Sequence, residues 1–265
     1  MYGIAFPVAY LVIGKPSLPT PHEPSKPSFL LFFTVFCLLS AVARIGSLVS
    51  EILMAAVERL LGTEQSNPVT EMLDGTPLLI VFLVVVVLGP LVEELLFRRA
   101  AMNKLLPFGE KSAILFSGVA FGVMHGNFYQ LFYMVGMGLL IGYLYARTRA
   151  VIYPILLHML YNFMGSIIPL SFMPYLEEMQ TQGMDAAWLL QNAWPLLGML
   201  GYSLLQIGLA VTGIVLLAVF SKRVRFEPTA YPLRAPEHAR ACFLNAGVIL
   251  FLILACCELA LSLIP

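Results

Sequence analysis

The stretch GTPLLIVFLVVVVLGPLVEELLFRR, residues 75–99, decides the fold of this chain. Residues 75–92 carry no charge and are mostly apolar, and about 20 such residues are needed for a helix to cross a bilayer. The run then meets Glu93 and Glu94, with Arg98 close behind. The stretch therefore predicts a membrane-spanning helix that carries two carboxylates near one end.

The composition of the whole chain agrees with a lipid environment. Of its 265 residues, 60% are apolar and only 11% are charged, whereas an ordinary soluble domain carries roughly 25% charged residues. The 15 basic and 15 acidic residues cancel, so no bulk charge attracts the chain to nucleic acid. We therefore expect an integral membrane protein surrounded by the lipid bilayer, with no nucleic-acid partner.

Apolar stretches of span length, or slightly shorter, recur along the chain. They predict an all-α, polytopic transmembrane helix bundle of about seven spans, at residues 29–49, 77–102, 111–127, 130–146, 151–169, 195–220 and 242–264.

These spans divide the chain into four predicted regions. A proline-rich segment, 1–28, precedes a region, 29–76, that holds the first span and a helix lying in the membrane interface. Residues 77–168 form the core with the unusual polar residues, and 169–265 form a C-terminal pair of spans. For residues 44–61 the alternative to an interfacial helix is a solvated extension of the first span.

Lys and Arg segregate to alternate connections between the spans, which is the pattern of cytoplasmic loops. They gather on the side of the N-terminus, at Lys15, Lys26, Arg98, Arg99, Lys104, Lys111, Arg147, Arg149, Lys222, Arg223, Arg225, Arg234 and Arg240. We therefore expect a cytoplasmic N-terminus. The compact chain with short connections favours a bacterial cytoplasmic membrane.

Glu93 and Glu94 differ in what they can contact along their own helix. Glu94 and Arg98 stand four apart with the acid first, the preferred order for an ion pair on one helix face. Glu93 is rotated by about 100° from Glu94 and faces another partner. Glu93 is thus the candidate for proton transfer. The alternative is a neutralised helix-end cluster that contains both carboxylates with Arg98, Arg99 and Lys104.

Two further groups of polar residues fall inside the predicted spans. His125 follows the turn at 107–109 at nearly the distance by which Glu93 precedes it, so both lie roughly 20 to 25 Å from that turn and can meet. His158 and Asn162 are four apart and share a helix face. Two neighbouring hydrogen-bond donors are what a developing oxyanion requires.

The three groups have the form EExxxR (Glu93, Glu94, Arg98), FxxxH (Phe121, His125) and HxxxN (His158, Asn162). In this order they resemble the CAAX protease and bacteriocin-processing family, also called CPBP or Abi. Arg99 departs from the family, which commonly has Gly after the motif arginine.

The resemblance implies a membrane peptidase whose catalytic core is 77–168. Glu93 with His125 would activate water, and His158 with Asn162 would stabilise the oxyanion. The substrate would be a membrane-associated peptide or protein. Structural support of the site would come from Glu94, Arg98 and Phe121.

Other chemistries and functions remain open at this point. No cofactor is expected, although Glu93, His125 and His158 could together bind a divalent metal such as zinc. Intramembrane Glu and His also occur in proton-coupled transporters. A non-catalytic scaffold could use small-residue helix faces instead, formed by Gly118, Gly122, Gly136, Gly138 and Gly142.

Overall fold

The computed structural model describes residues 23–227, 231 and 233–263. Within these residues all regular structure is helical, which confirms the expected all-α membrane bundle. Most of the predicted proline-rich segment, 1–28, lies outside the described residues.

Ten helical stretches follow one another along the described chain, and three of them contain π or 3-10 turns. They are α1 (Phe29–Leu61), α2 (Pro68–Leu73), α3 (Leu78–Phe108), α4 (Glu110–Val123), α5 (Phe128–Thr148), α6 (Ile152–Thr181), α7 (Ala186–Gln191), α8 (Ala193–Phe220 with the 3-10 turn Ser221–Arg223), α9 (Ala235–Cys242) and α10 (Ala246–Leu261).

Five of these helices, α1, α3, α5, α6 and α8, are long and apolar enough to cross a membrane. The other two expected spans correspond to shorter helices. Helix α4 has 14 residues and α10 has 16, or about 21 and 24 Å of helix against a hydrocarbon core of about 30 Å. The count of seven spans and the cytoplasmic N-terminus therefore remain predictions.

Helix α1 is one uninterrupted helix of 33 residues. It begins after Ser28, whose hydroxyl accepts from the Leu31 N–H, and ends at Gly62, whose φ of 70° is left-handed. Residues 44–61 belong to this same helix, and no proline interrupts them. An interfacial stretch and a solvated extension of the first span both remain predictions for these residues.

Helices α4 and α5 form an antiparallel hairpin held by close glycine contacts. A Cβ atom at Gly138 would lie 2.8 Å from the Cα of Gly118, and one at Gly122 would lie 2.8 Å from the Val135 nitrogen. Gly136 similarly contacts Val42 of α1. These glycines serve contacts within the bundle, so they give no support to a scaffold surface.

The basic connections meet at the open end of this hairpin. Glu110, which is almost fully buried, forms ion pairs with Arg147 and, at 3.3 Å, with Arg149. The backbone N–H of Glu227 donates to the same carboxylate at 2.8 Å. The connection after α8 is thereby fastened to the ends of α4 and α5.

Two π turns are each followed by a proline within a long helix. The first, Phe82–Leu88, lies in α3 and precedes Pro90. In the five-residue pattern the Gly89 N–H donates to the Val84 carbonyl, so residue 90 should donate to Val85, and proline has no N–H. The Asn162 amide supplies this bond instead, at 2.8 Å from the Val85 oxygen.

The second π turn, Phe163–Ile167, repeats the arrangement in α6. The Ile168 N–H donates to the Phe163 carbonyl, so residue 169 should donate to Met164, and it is Pro169. The hydroxyl of Tyr202 from α8 donates to the Met164 oxygen. Helix α6 therefore continues to Thr181, and the expected boundary between core and C-terminal region at 168 falls inside it.

Candidate active site

A buried ion pair forms the base of the site. Arg98 Nε lies 2.8 Å from Glu94 Oε2, and neither side chain is exposed, so the pair expected from the four-residue spacing is present. The guanidinium also donates to the hydroxyl of Ser117 on α4. Burial without these partners would be costly for either charge.

His158 links the two carboxylates. Its Nδ1 lies 3.0 Å from Glu94 Oε1, and its Nε2 lies 3.9 Å from Glu93 Oε2. Its side chain is only 1% exposed and the Glu93 side chain 6%. Each carboxylate therefore faces a different nitrogen of one imidazole. Glu94, which the sequence predicted only as structural support, thus directly contacts His158, a predicted catalytic residue.

His125 lies just beyond its helix, not within a span as expected. Helix α4 ends at Val123, because Gly126 takes a φ of 65° and Asn127 caps the start of α5. The His125 Nδ1 is 2.8 Å from the Phe121 carbonyl oxygen. A carbonyl only accepts, so the proton is on Nδ1 and Nε2 keeps its lone pair.

The predicted meeting of Glu93 and His125 across the bundle agrees with the electrostatic interaction between them. His125 also interacts with His158. Glu93, His125 and His158 therefore belong to one group of side chains at the tip of the α4–α5 hairpin. Both His125 and Asn162 are partly exposed, whereas Glu93 is buried.

The ring of Phe121 fills the centre of this group. It is fully buried, and its centroid lies 5.1 Å from that of His125 and 5.7 Å from that of His158. The Arg98 guanidinium carbon stands 5.1 Å from the same ring. Phe121 thus packs against both histidines and the ion pair, as expected of a supporting residue.

Asn162 has a partner that sequence reasoning did not foresee. One amide hydrogen is used for the Val85 carbonyl beside Pro90, which leaves one hydrogen for another acceptor.

Ser117 was also missed by the sequence analysis, although its spacing along the chain gave a signal. Ser117, Phe121 and His125 recur every four residues, with Ser117 and Phe121 on one face of α4 and His125 just beyond its end.

Within the described ranges, no group of three or more His, Cys, Asp and Glu side chains is arranged to hold a metal ion. The alternative with Glu93, His125 and His158 as metal ligands stays a prediction, because the hydrogen bond of His125 Nδ1 to a carbonyl leaves its Nε2 available.

Comparison with known families places this geometry in a class of membrane proteases. Residues 75–164, which contain all three motifs, match the family described as type II CAAX prenyl endopeptidase Rce1-like. The match falls on the segment that contains the three motifs, so the resemblance found in them is confirmed.

A curated relative supports the same class. The chain is 31% identical over 125 residues to the "Putative membrane peptidase YdiL" of Bacillus subtilis (strain 168). The aligned part covers 45% of this chain and 49% of the relative, so the chain spans about half the length of the curated relative it matches. No solved structure matches the chain.

Proposed function

We propose that this protein is an integral membrane peptidase that hydrolyses membrane-associated peptides or proteins with a glutamate-activated water. The observation that carries the proposal is the contact of one buried imidazole, His158, with both glutamates of the first motif. The family match over 75–164 supports a membrane peptidase in general.

Glu93 and His125 would activate the water. The Glu94 carboxylate is neutralised by Arg98, while Glu93 points to the side where His125 lies. The His125 Nε2 lone pair can accept a hydrogen bond from a water molecule that Glu93 deprotonates. The proton taken up by Glu93 would then pass to the leaving amine.

His158 and Asn162 would stabilise the oxyanion. His158 can donate from Nε2 while Nδ1 donates to Glu94 only if both nitrogens carry protons. The buried group of Glu93, Glu94, Arg98 and cationic His158 then has no net charge, which limits the penalty of burying it. The second amide hydrogen of Asn162 would be the other donor.

The decisive test is Glu93→Gln, which keeps the size of the side chain and removes only its ability to accept a proton. We expect proteolysis of a membrane-peptide library to fall by about 10² to 10⁴, the usual contribution of a general base. Abundance in the membrane should stay near normal. Glu71→Gln, at an exposed position on α2, is the matched control.

Retained peptidase activity in Glu93→Gln would disprove its role as base. The same preparation addresses two alternatives. Loss of wild-type activity on treatment with a strong chelator, and its return with zinc, would favour a metal enzyme. Proton-coupled flux in liposomes would favour a transporter, and an unchanged phenotype in cells carrying Glu93→Gln would favour a scaffold.

The location is proposed as a bacterial cytoplasmic membrane with the N-terminus in the cytoplasm. The convergence of Arg147, Arg149 and the connection after α8 at one end of the bundle supports this orientation.

A further inference from the structure

Glu258 is an isolated carboxylate in α10. It is the only charged residue between positions 241 and 265, and its side chain is exposed. Among the described residues its carboxylate has no hydrogen bond and no ion pair. It also lies outside residues 75–164, the segment that matches the family. Neither the packing of the bundle nor the three motifs therefore account for this charge.

The helix that carries Glu258 runs beside α4. The ring centroid of Phe243, just before α10, lies 6.5 Å from that of Phe116 in α4. Phe251, about two turns further along, packs against the buried cluster that contains Phe121. Phe251 and Glu258 are seven residues apart and so face the same side of α10. Glu258 is therefore directed to the end of α4.

The Glu258 carboxylate lies against the turn that carries His125. A Cβ atom at Gly126 would lie 3.0 Å from the carboxyl carbon of Glu258 and 3.4 Å from its Oε1. Gly126 has no side chain and a φ of 65°, which permits this close approach. Since consecutive Cα atoms are about 3.8 Å apart, the carboxyl carbon lies within roughly 8 Å of the His125 Cα. An unpaired charge thus adjoins a proposed catalytic residue that is itself partly exposed.

The position of Glu258 within its helix favours a cation as its partner. It lies three residues before Leu261, the end of α10, where the helix dipole is negative. A carboxylate there opposes the dipole, so the stability of the helix does not explain it. A cation at the same place is attracted both by the carboxylate and by the helix end.

We propose that Glu258 binds the side chain of a substrate Lys or Arg that lies one or two residues from the scissile bond. An extended peptide advances about 3.3 to 3.6 Å per residue, so such a side chain can reach the carboxylate while the scissile carbonyl lies beside His125. The charge-assisted hydrogen bond would fix the register of the peptide. The inference rests on the proposed peptidase function and gives it a substrate class, membrane-associated peptides with a basic residue near the cleavage point.

The test is cleavage by the full-length protein of a peptide library in which each position near the scissile bond is Lys, Gln or Glu. At one position the wild type should show a kcat/KM about fivefold to tenfold higher with Lys than with Gln, between the usual effects of an exposed ion pair and of a charged hydrogen bond. Glu258→Gln should abolish this preference, and Glu258→Lys should prefer Glu at the same position. Glu177→Gln, at an exposed carboxylate on α6, is the matched control and should keep the wild-type preference.

Three outcomes would overturn the inference and leave the proposed function intact. Equal cleavage of Lys and Gln peptides by the wild type would show that no cation site exists. Equal losses on both peptides in Glu258→Gln would show that the residue acts on folding or on the reaction instead. A preference for Lys spread evenly over all positions, or lost equally in Glu177→Gln, would reflect only the overall charge of the peptide.

A binding measurement separates failure of this inference from failure of the proposed function. Fluorescence anisotropy reports the binding of labelled Lys and Gln peptides to the full-length Glu93→Gln protein, which requires no cleavage. Adding Glu258→Gln should weaken binding of the Lys peptide about fivefold to tenfold relative to the Gln peptide. If the wild type cleaves no peptide, the peptidase proposal fails, and this difference still decides whether Glu258 binds a cation. Its absence would overturn the inference.

Discussion

The π turns at Phe82–Leu88 and Phe163–Ile167 are alike in their backbone and differ in the residue that completes them. Each is followed by a proline that cannot donate to the carbonyl five residues earlier. The Val85 carbonyl receives the amide of Asn162, which belongs to the third motif, whereas the Met164 carbonyl receives the hydroxyl of Tyr202.

The difference separates two roles that a side-chain donor between helices can have. Tyr202, which lies outside the segment that matches the family, stabilises α6. Asn162 completes the backbone of α3 and lies one helical turn beyond His158, which contacts both glutamates. Interrupted helices survive in membranes only where side chains or neighbouring helices satisfy the freed carbonyls. Substitution at the two turns should therefore have equal effects on stability and unequal effects on catalysis.

Among substitutions at the two turns, the largest effect is expected for Asn162→Ala. It removes the donor to Val85 and the proposed oxyanion donor, so proteolysis should fall about 10² to 10³. Unfolding free energy should fall by about 1 to 3 kcal/mol, because a carbonyl within a membrane-spanning helix is left without a donor. Peptide cleavage and thermal unfolding of the purified protein measure both. Full activity with reduced stability would restrict Asn162 to its backbone role.

The double variant Asn162→Ala with Pro90→Ala sharpens this result. Alanine at position 90 provides the missing N–H, so the stability lost in Asn162→Ala should return to within about 1 kcal/mol of wild type. Activity should stay low, because no new donor reaches the oxyanion. Pro90→Ala alone is the control and should remain active. Recovery of activity in the double variant would show that only the backbone mattered.

The smallest effect on activity is expected for Tyr202→Phe. Its loss of the donor to Met164 should lower the unfolding free energy by about 1 to 3 kcal/mol and leave proteolysis within about twofold of wild type. Tyr175→Phe, in the same helix as Met164, should change neither quantity. A loss of activity as large as that of Asn162→Ala would remove the distinction between the two turns.

The sequence predicted those parts of the site that depend on spacing along one helix. The Glu94–Arg98 pair follows from a separation of four residues, and the electrostatic interaction of Glu93 with His125 agrees with their similar distances along the chain from a turn. The spans α1, α3, α5, α6 and α8 follow from apolar length.

The remaining parts depend on contacts between helices and on departures from the α-helical period. A π turn shifts the helical register by one residue. A sequence pattern based on the α-helical period of 3.6 residues therefore cannot show that the Asn162 side chain reaches the Val85 carbonyl. The end of α4 before His125 depends on the conformation of Gly126, which composition does not reveal. The contact of Ser117 with Arg98 requires the packing of α3 on α4.

The shortness of α4 has a consequence for the lipid around the site. Its 14 residues, about 21 Å of helix, run from the buried Glu110 to the turn that carries His125. A bilayer of normal thickness exceeds this length by several ångströms, and such hydrophobic mismatch is relieved by local thinning. We expect such thinning to bring water closer to His125, so the thickness of the membrane would set how easily the proposed peptidase site is hydrated.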